Sequence, residues 1–163
     1  MINTKLISVN NNIDYISTVE LTEWITKTGE LKLISSENSS VLSTDVLHSW
    51  FINSIAGVVL CVNDLPIGVA TLSKSEISFL PSDTIECCHL VVHPQWRRLY
   101  YGTLIVCFLL SIAKKHGYKR VVGRIVPTNS VAKLLLDSLN FESVDTYEDW
   151  MSPDFVWYQR RFK

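Results

Sequence analysis

Residues 86–117 read ECCHLVVHPQWRRLYYGTLIVCFLLSIAKKHG, and the fold turns on how this stretch is parsed. Cys87 to Val92 is apolar and ends in two β-branched valines, which reads as a strand, and Pro94 follows it. The basic turn HPQWRRLYYG leads into a helix over about residues 100–116 that is apolar almost all round, so it is predicted to be buried against a sheet. Lys114, Lys115 and His116 fall in its last turn, where cations suit the helix dipole, and Gly117 supplies a left-handed cap. A strand, a short basic turn and a helix together build an anion site. The first N–H groups of the helix have no internal partners and the dipole favours negative charge there, while Arg97 and Arg98 stand just before it. A phosphate or pyrophosphate is the expected guest.

The whole chain sets the bounds. Its 163 residues are expected to form a single domain, 1–163, long enough for a proper core. Hydrophobic residues make up 47%, which argues against disorder, and the net charge of −1 gives no reason to expect nucleic-acid binding. The longest apolar run, Leu104 to Leu110, falls well short of the ~20 residues a membrane span needs. No basic segment followed by an apolar core opens the sequence, so no signal peptide is read there. Cys61, Cys87, Cys88 and Cys107 lack zinc-site spacing; they read as reduced, mostly buried thiols of a cytoplasmic protein, and no metal site is expected.

Outward from the central stretch, Lys5 to Val9 reads as a first strand and Asn10-Asn11-Asn12 as a turn and helix cap. Ile13, Ile16, Val19, Trp24 and Ile25 recur at helical spacing up to Gly29. Leu31 to Ser40 is ambiguous. Thr44-Asp45 is read as the cap of a second helix with Val46, Leu47, Trp50, Phe51 and Ser54 on its inner face. Gly57 to Val62 and Ile67 to Leu72 form a hairpin around residues 63–66, with Gly68 marking a bulge or a close backbone approach. After the polar loop 73–83 comes the central strand, Thr84 to Val92. Beyond Gly117, a strand is predicted over Lys119 to Val126. A helix follows over Ser130 to Leu139, with Val131, Leu134, Leu135 and Leu139 inward and Asn140 as its left-handed cap. Strands over Phe141 to Tyr147 and Phe155 to Phe162 finish the chain.

Val92, Pro94, Arg97 and Gly102 stand at the spacing of V-x-P-x-x-[RQ]-x-x-G-x-[GA], and this resembles motif A of the GNAT superfamily of N-acetyltransferases. Tyr100 occupies the first glycine of that pattern. Asn129, Ala132 and Phe141 are similar to the family's N-x-x-A-x-x-x-Y-x-x-x-G-F, with Leu136 at the tyrosine and Asn140 at the glycine. The predicted element order, β-α-α-β-β-β-α-β-α-β-β, is also that of the GNAT fold. The resemblance therefore implies an α/β fold with a mixed central sheet of about seven strands flanked by about four helices.

It implies a chemistry as well. Acetyl-CoA would be the cosubstrate, with Leu90, Val91 and Val92 pairing with its pantetheine arm. The N–H groups of Arg97, Arg98, Leu99, Tyr100, Tyr101, Gly102 and Thr103 would hold its pyrophosphate, with Asn129 beside them. Tyr100 is compatible with this if the turn keeps helix-start dihedrals, which are open to any L-residue. Glu86, on the central strand, stands where many members carry a general base that deprotonates the amine. His89 is the alternative base, although regular alternation points it to the opposite face from Glu86 unless the strand bulges. Leu136 has no proton for the departing thiolate, leaving Ser130, Tyr101, Tyr147 or water. The acceptor is an amine of a small molecule or a protein, and a homodimer is allowed for. Because Tyr100 and Leu136 depart from the motifs, the alternative is a non-catalytic GNAT-fold protein that binds, inhibits or assembles.

Overall fold

β2 (Ala56–Val62), buried along its whole length, and β3 (Leu65–Ser73), buried at all but its two ends, are neighbouring strands inside the sheet. They are joined by Asn63 and Asp64, both left-handed (φ 49 and 65), which is the conformation a two-residue hairpin turn requires. The turn is thus shorter than predicted. Leu65 and Pro66 already belong to β3, and the register slips between Leu60 and Cys61 so that Ile67 is the extra residue. The computed structural model describes residues 2–9, 15–35, 39–74 and 80–163. The predicted cap at Asn10-Asn11-Asn12 and the helical position Ile13 lie outside the described residues, as does the side chain of Ile16.

The sheet has seven strands in the order β1-β2-β3-β4-β5-β7-β6. The others are β1 (Thr4–Val9), β4 (Thr84–Val92), β5 (Arg120–Ile125), β6 (Glu142–Ser143) and β7 (Val156–Arg161). Only β4 and β5 are parallel, so the sheet is mixed as expected. One face is covered by α4 (Tyr101–Lys115) and α5 (Ser130–Ser138), around a core that includes Leu60, Leu72, Ile105, Leu109 and Leu136. The other face is covered by α1 (Tyr15–Thr28), the one-turn α2 (Leu31–Ile34) and α3 (Thr44–Ile52), with Leu21, Ile25, Trp50, Val69 and Val91 in its core. The ambiguous segment after Leu31 therefore adds a fifth helix. No described helix is long and apolar enough to cross a membrane.

Several local expectations are corrected. Ser43 caps α3 by accepting a hydrogen bond from the Val46 N–H at 3.2 Å, because its extended backbone aims Oγ at the first turn, while Thr44 is already helical. In α5 the inward residues are Ala132, Leu135, Leu136 and Leu139, one stripe at three- and four-residue spacing; Val131 and Leu134 are 67% and 68% exposed. The strand after Phe141 is only two residues long. Val144 still donates to the Trp157 carbonyl at 2.9 Å; beyond it the chain leaves the sheet edge and is tied back by Arg120. That buried guanidinium donates to Glu148 and to Thr84 Oγ1 (3.0 Å), and it lies over Trp150. Of the cysteines only Cys61 is buried. Cys87 and Cys88 are half-buried and Cys107 is exposed on α4, because the helix shows one side to solvent.

Gly68 is a close approach. A Cβ there would lie 2.8 Å from Ile105 Cδ1 and 3.3 Å from the Val91 carbonyl oxygen. Gly68→Ala should lower stability by about 1–3 kcal/mol, the usual cost of overpacking. Adding Ile105→Val should recover part of the loss, leaving the contact with the rigid carbonyl. Urea denaturation of the three proteins reads both effects.

Candidate active site

The site begins where two strands part. β4 and β5 pair only over Thr84–Glu86 against Arg120–Val122. Past Glu86, β5 continues to pair with β7 while β4 continues to pair with β3, and among the described residues no strand fills the wedge between them. One side of the wedge is Glu86 to Leu90 and the other is Gly123 to Val126, enclosing a cleft of about 450 Å³. A second cleft of about 590 Å³ lies between the start of α4 and the start of α5. Leu33, Ile34, Leu90, Asn129 and Ala132 line both, so the two form one passage along β4.

The outer cleft is the predicted anion site. Leu90, Val91, Val92, Arg97, Arg98, Tyr100, Tyr101, Gly102, Thr103 and Asn129 all line it, whereas Leu99 does not and is exposed beside it. The first intrahelical bond of α4 is Leu104 N–H to the Tyr100 carbonyl at 2.9 Å, so the N–H groups of Tyr101, Gly102 and Thr103 have no partner within the helix. No side chain caps this end and no acid stands in the first turn. Tyr100 does not adopt the helix-start dihedrals expected of it. Its φ is +62, a left-handed conformation that suits the glycine of the motif and that the Cβ of a tyrosine disfavours. Arg98 shares this conformation, also at φ +62.

Arg97 has other partners in this structure. Its Nε donates to the Val92 carbonyl at 2.8 Å, Nη1 donates to Glu30 Oε1 at 2.9 Å, and Nη2 pairs with Glu30 Oε2. The guanidinium thereby ties the turn to the end of β4 and to the α1–α2 junction, and the exposed Arg98 is left as the cation facing outward. Asn129 is likewise engaged: its Oδ1 caps α5 by accepting from the Ala132 N–H at 3.1 Å. His93 closes the single 3-10 turn at Pro94–Trp96 with Nδ1 and meets Trp24 edge-on, so it is a turn residue as read from the sequence.

The inner cleft holds Glu86, His89 and Arg124. Glu86 is 1% exposed, and its Oε1 lies 2.8 Å from Nε of Arg124. Arg124 faces the same side of the sheet because Val122, two residues earlier, is the partner of Glu86. Its guanidinium is held over the Phe155 ring at 5.1 Å. His89 joins them through the bulge that regular alternation excluded. Its φ is +56 and the β3–β4 register shifts there, so it reaches the Thr71 face, which is also the face of Glu86. Nδ1 is 2.9 Å from Thr71 Oγ1, and the ring stacks on Trp50 at 4.2 Å. Burial, with Arg124 nearby, lowers its pKa to about 3, so the ring is neutral at physiological pH and a weak base. Burial and the Glu86 charge push the Cys87 thiol up to about 12, so it is not a ready nucleophile. Leu136 lies in the cleft as an apolar wall. Tyr147, expected as a substitute acid, donates to the Phe155 carbonyl at 3.1 Å and does not line either cleft. Tyr101 and Ser130 line the outer cleft only.

Sequence reading missed Arg124, Glu30 and Phe155. Arg124 was reachable, since the i, i+2 rule places it on the face of Val122 once the parallel register is known. Glu30 lies 67 residues from its partner, and Phe155 sits in an irregular loop; neither carries a local signal.

A model of the acetyltransferase (GNAT) family matches residues 20–141. No curated protein sequence matches the chain significantly. Among solved structures, yncA from Salmonella typhimurium, determined with its cofactor acetyl-CoA, is 17% identical with a TM-score of 0.73, over 98% of this chain and 94% of that one. The PaiA N-acetyltransferase of Thermoplasma acidophilum, in complex with coenzyme A, is 14% identical with a TM-score of 0.71, over 97% and 99%. The GNAT domain of S. lividans PAT is 12% identical with a TM-score of 0.77, over 98% and 90%.

The depressed His89 pKa fixes the sign of one pH effect. Above about pH 6.5 the ring is neutral folded and unfolded, and it contributes no slope. Between there and about pH 3 the unfolded chain binds a proton that the folded chain refuses, so stability falls with pH by up to about 1.4 kcal/mol per unit. His89→Gln should flatten this loss, measured as the difference in urea midpoint between pH 7 and pH 5 for the two proteins.

Proposed function

The chain belongs to the GNAT acetyltransferase family, and from that premise we propose that it transfers an acetyl group from acetyl-CoA to an amine. The observation that carries the reading is the continuity of the two clefts: an uncapped helix start at one end, an unpaired strand edge between, and a buried carboxylate at the other. This is the order of groups along the cosubstrate, pyrophosphate, then pantetheine amides, then the reacting thioester. The free N–H groups of Tyr101, Gly102 and Thr103, with Arg98 beside them, hold the pyrophosphate. Leu90 to Val92 offers backbone to the pantetheine arm, and Arg97 keeps the turn in place through Glu30.

When bound, acetyl-CoA supplies the activated acyl group, its C–S bond giving way to a C–N bond to the amine. Glu86 is the one carboxylate among the described residues lining the inner cleft, and it takes the amine's proton directly or through a water. Arg124 compensates its charge within the buried wall and fixes its orientation. His89 is a poor competitor for that proton, and its ring serves to close the cleft against Trp50. The thiolate takes its proton from solvent. One observation favours a second reading: Leu136, buried at the tyrosine position, offers nothing to the leaving group, as suits a chain that binds the cosubstrate without turning it over.

Acetyl-CoA should bind and raise the melting temperature by mass action. Arg98→Ala should weaken that binding with little effect on the free protein. Arg97→Ala should weaken it and also lower the melting temperature of the free protein, because Glu30 loses its partner. Calorimetry and thermal shift read both, and no binding at millimolar acetyl-CoA overturns the transferase reading.

Glu86→Gln should lower turnover by about 10²–10⁴-fold, the usual effect of losing a positioned base, while acetyl-CoA affinity stays within a few fold. Its pH–rate profile should lose the acidic limb. Unchanged rate and limb would remove Glu86 as the base, and binding without turnover in the wild type, whatever the amine, would establish the second reading.

A further inference from the structure

The charges of the inner cleft carry information about the acceptor. Glu86 is buried and pairs with the partly exposed Arg124, and Lys32 stands exposed at the rim, so among the described residues the cleft lining holds two cations and one carboxylate. The pair is already compensated. A simple ammonium entering beside it would meet Arg124 as a like charge and would bring no counter-charge for the guanidinium. A guest with its own negative charge would supply one. Arg124 meets Glu86 through Nε, and among the described residues neither Nη group makes a hydrogen bond. The Arg124 guanidinium carbon lies 5.1 Å from the Phe155 ring centroid, so the ring packs on the guanidinium, and the two Nη groups are a fork that suits a carboxylate.

We propose that the acceptor is an α-amino acid with an apolar side chain: its carboxylate lies on the Nη groups of Arg124, its amine lies toward Glu86, and its side chain packs on Phe155, Leu136 and Ile34. The proposal rests on the transferase reading above and narrows it to a substrate class. An α-amino acid carries opposite charges on the two groups of one carbon, and Glu86 and Arg124 present opposite charges 2.8 Å apart, so the two dipoles can lie side by side and antiparallel. The guest adds no net charge to the wall. Polyamines, and lysine side chains on a protein surface, bring a positive charge with no carboxylate to accompany it, and this wall rejects them.

The test compares leucine with leucinamide, which differ in the carboxylate. Leucinamide has the more acidic ammonium, so chemistry alone favours it, and a preference for leucine reports recognition. Thiol release from acetyl-CoA should give kcat/KM about tenfold or more higher for leucine, the loss expected when a charged hydrogen-bond partner is removed. Arg124→Lys keeps a cation beside Glu86 but lacks the fork, and it should bring the leucine-to-leucinamide ratio close to one. The same pair is read by thermal shift with coenzyme A present, which needs no turnover and no variant. Leucinamide acetylated as well as leucine, or better, overturns the proposal and leaves the transferase reading intact. Acetyl-CoA bound with neither acceptor acetylated nor bound also overturns it. Leucine bound without any binding of acetyl-CoA supports the amino-acid site and overturns the transferase reading instead.

Discussion

Strands β4 and β5 are parallel partners for three residues and then separate, and the architecture of the site follows from that separation. Each strand stays satisfied on its other side: β4 by β3, and β5 by β7. Among the described residues the inner edges of β4 and β5 are therefore left open by the wedge, and an unpaired strand edge is a template for an extended chain. The wedge is held open by what fills it: Leu136 from α5 on one face, and the Glu86–Arg124 pair on the other. The left-handed bulge at His89 bends β4 at the same level, increasing the divergence.

Two ion pairs organise the passage at its two ends, and they differ in character. Arg97 and Glu30 are each about one-third exposed, with side chains at 30% and 33%, so the pair adds little stability but fixes a geometry, tying a turn to a helix junction. Glu86 is removed from water, so Arg124 is a requirement for burying it; without that partner the carboxylate would be a severe liability. The C-terminal loop joins this system indirectly. Arg120 anchors Glu148 and Trp150 to the sheet, Trp150 packs edge-on against Trp157, and the loop so held delivers Phe155 to the Arg124 guanidinium. A buried arginine that does not itself line the cleft thus helps shape its wall.

Much of this was legible in the chain. The periodicity and the stop signals at Gly29, Gly117 and Pro94 mark the helices and the central strand because they are local: each depends on side-chain spacing of a few residues. Glu86, Arg97, Gly102 and Asn129 could be singled out because motif spacing survives as a linear pattern. The facing of α5 could not. Val131, Leu134, Leu135 and Leu139 form an acceptable stripe, and so do Ala132, Leu135, Leu136 and Leu139; which one turns inward depends on where the sheet lies, and the sheet chose the second.

By itself, then, the sequence determined the element order apart from α2, the sheet that this order must build, and a basic turn leading into a helix start. Those are consequences of backbone propensity, apolar spacing and the chemistry of helix starts, all encoded within short windows. Tertiary structure alone decided what the singled-out residues touch. It put Glu30 on Arg97 across 67 positions, set Arg124 against Glu86 through a parallel register, and turned His89 onto the face of Glu86 by a single left-handed residue. Pairings of that kind are settled by the competition of all packed elements for one core, and no local window contains it.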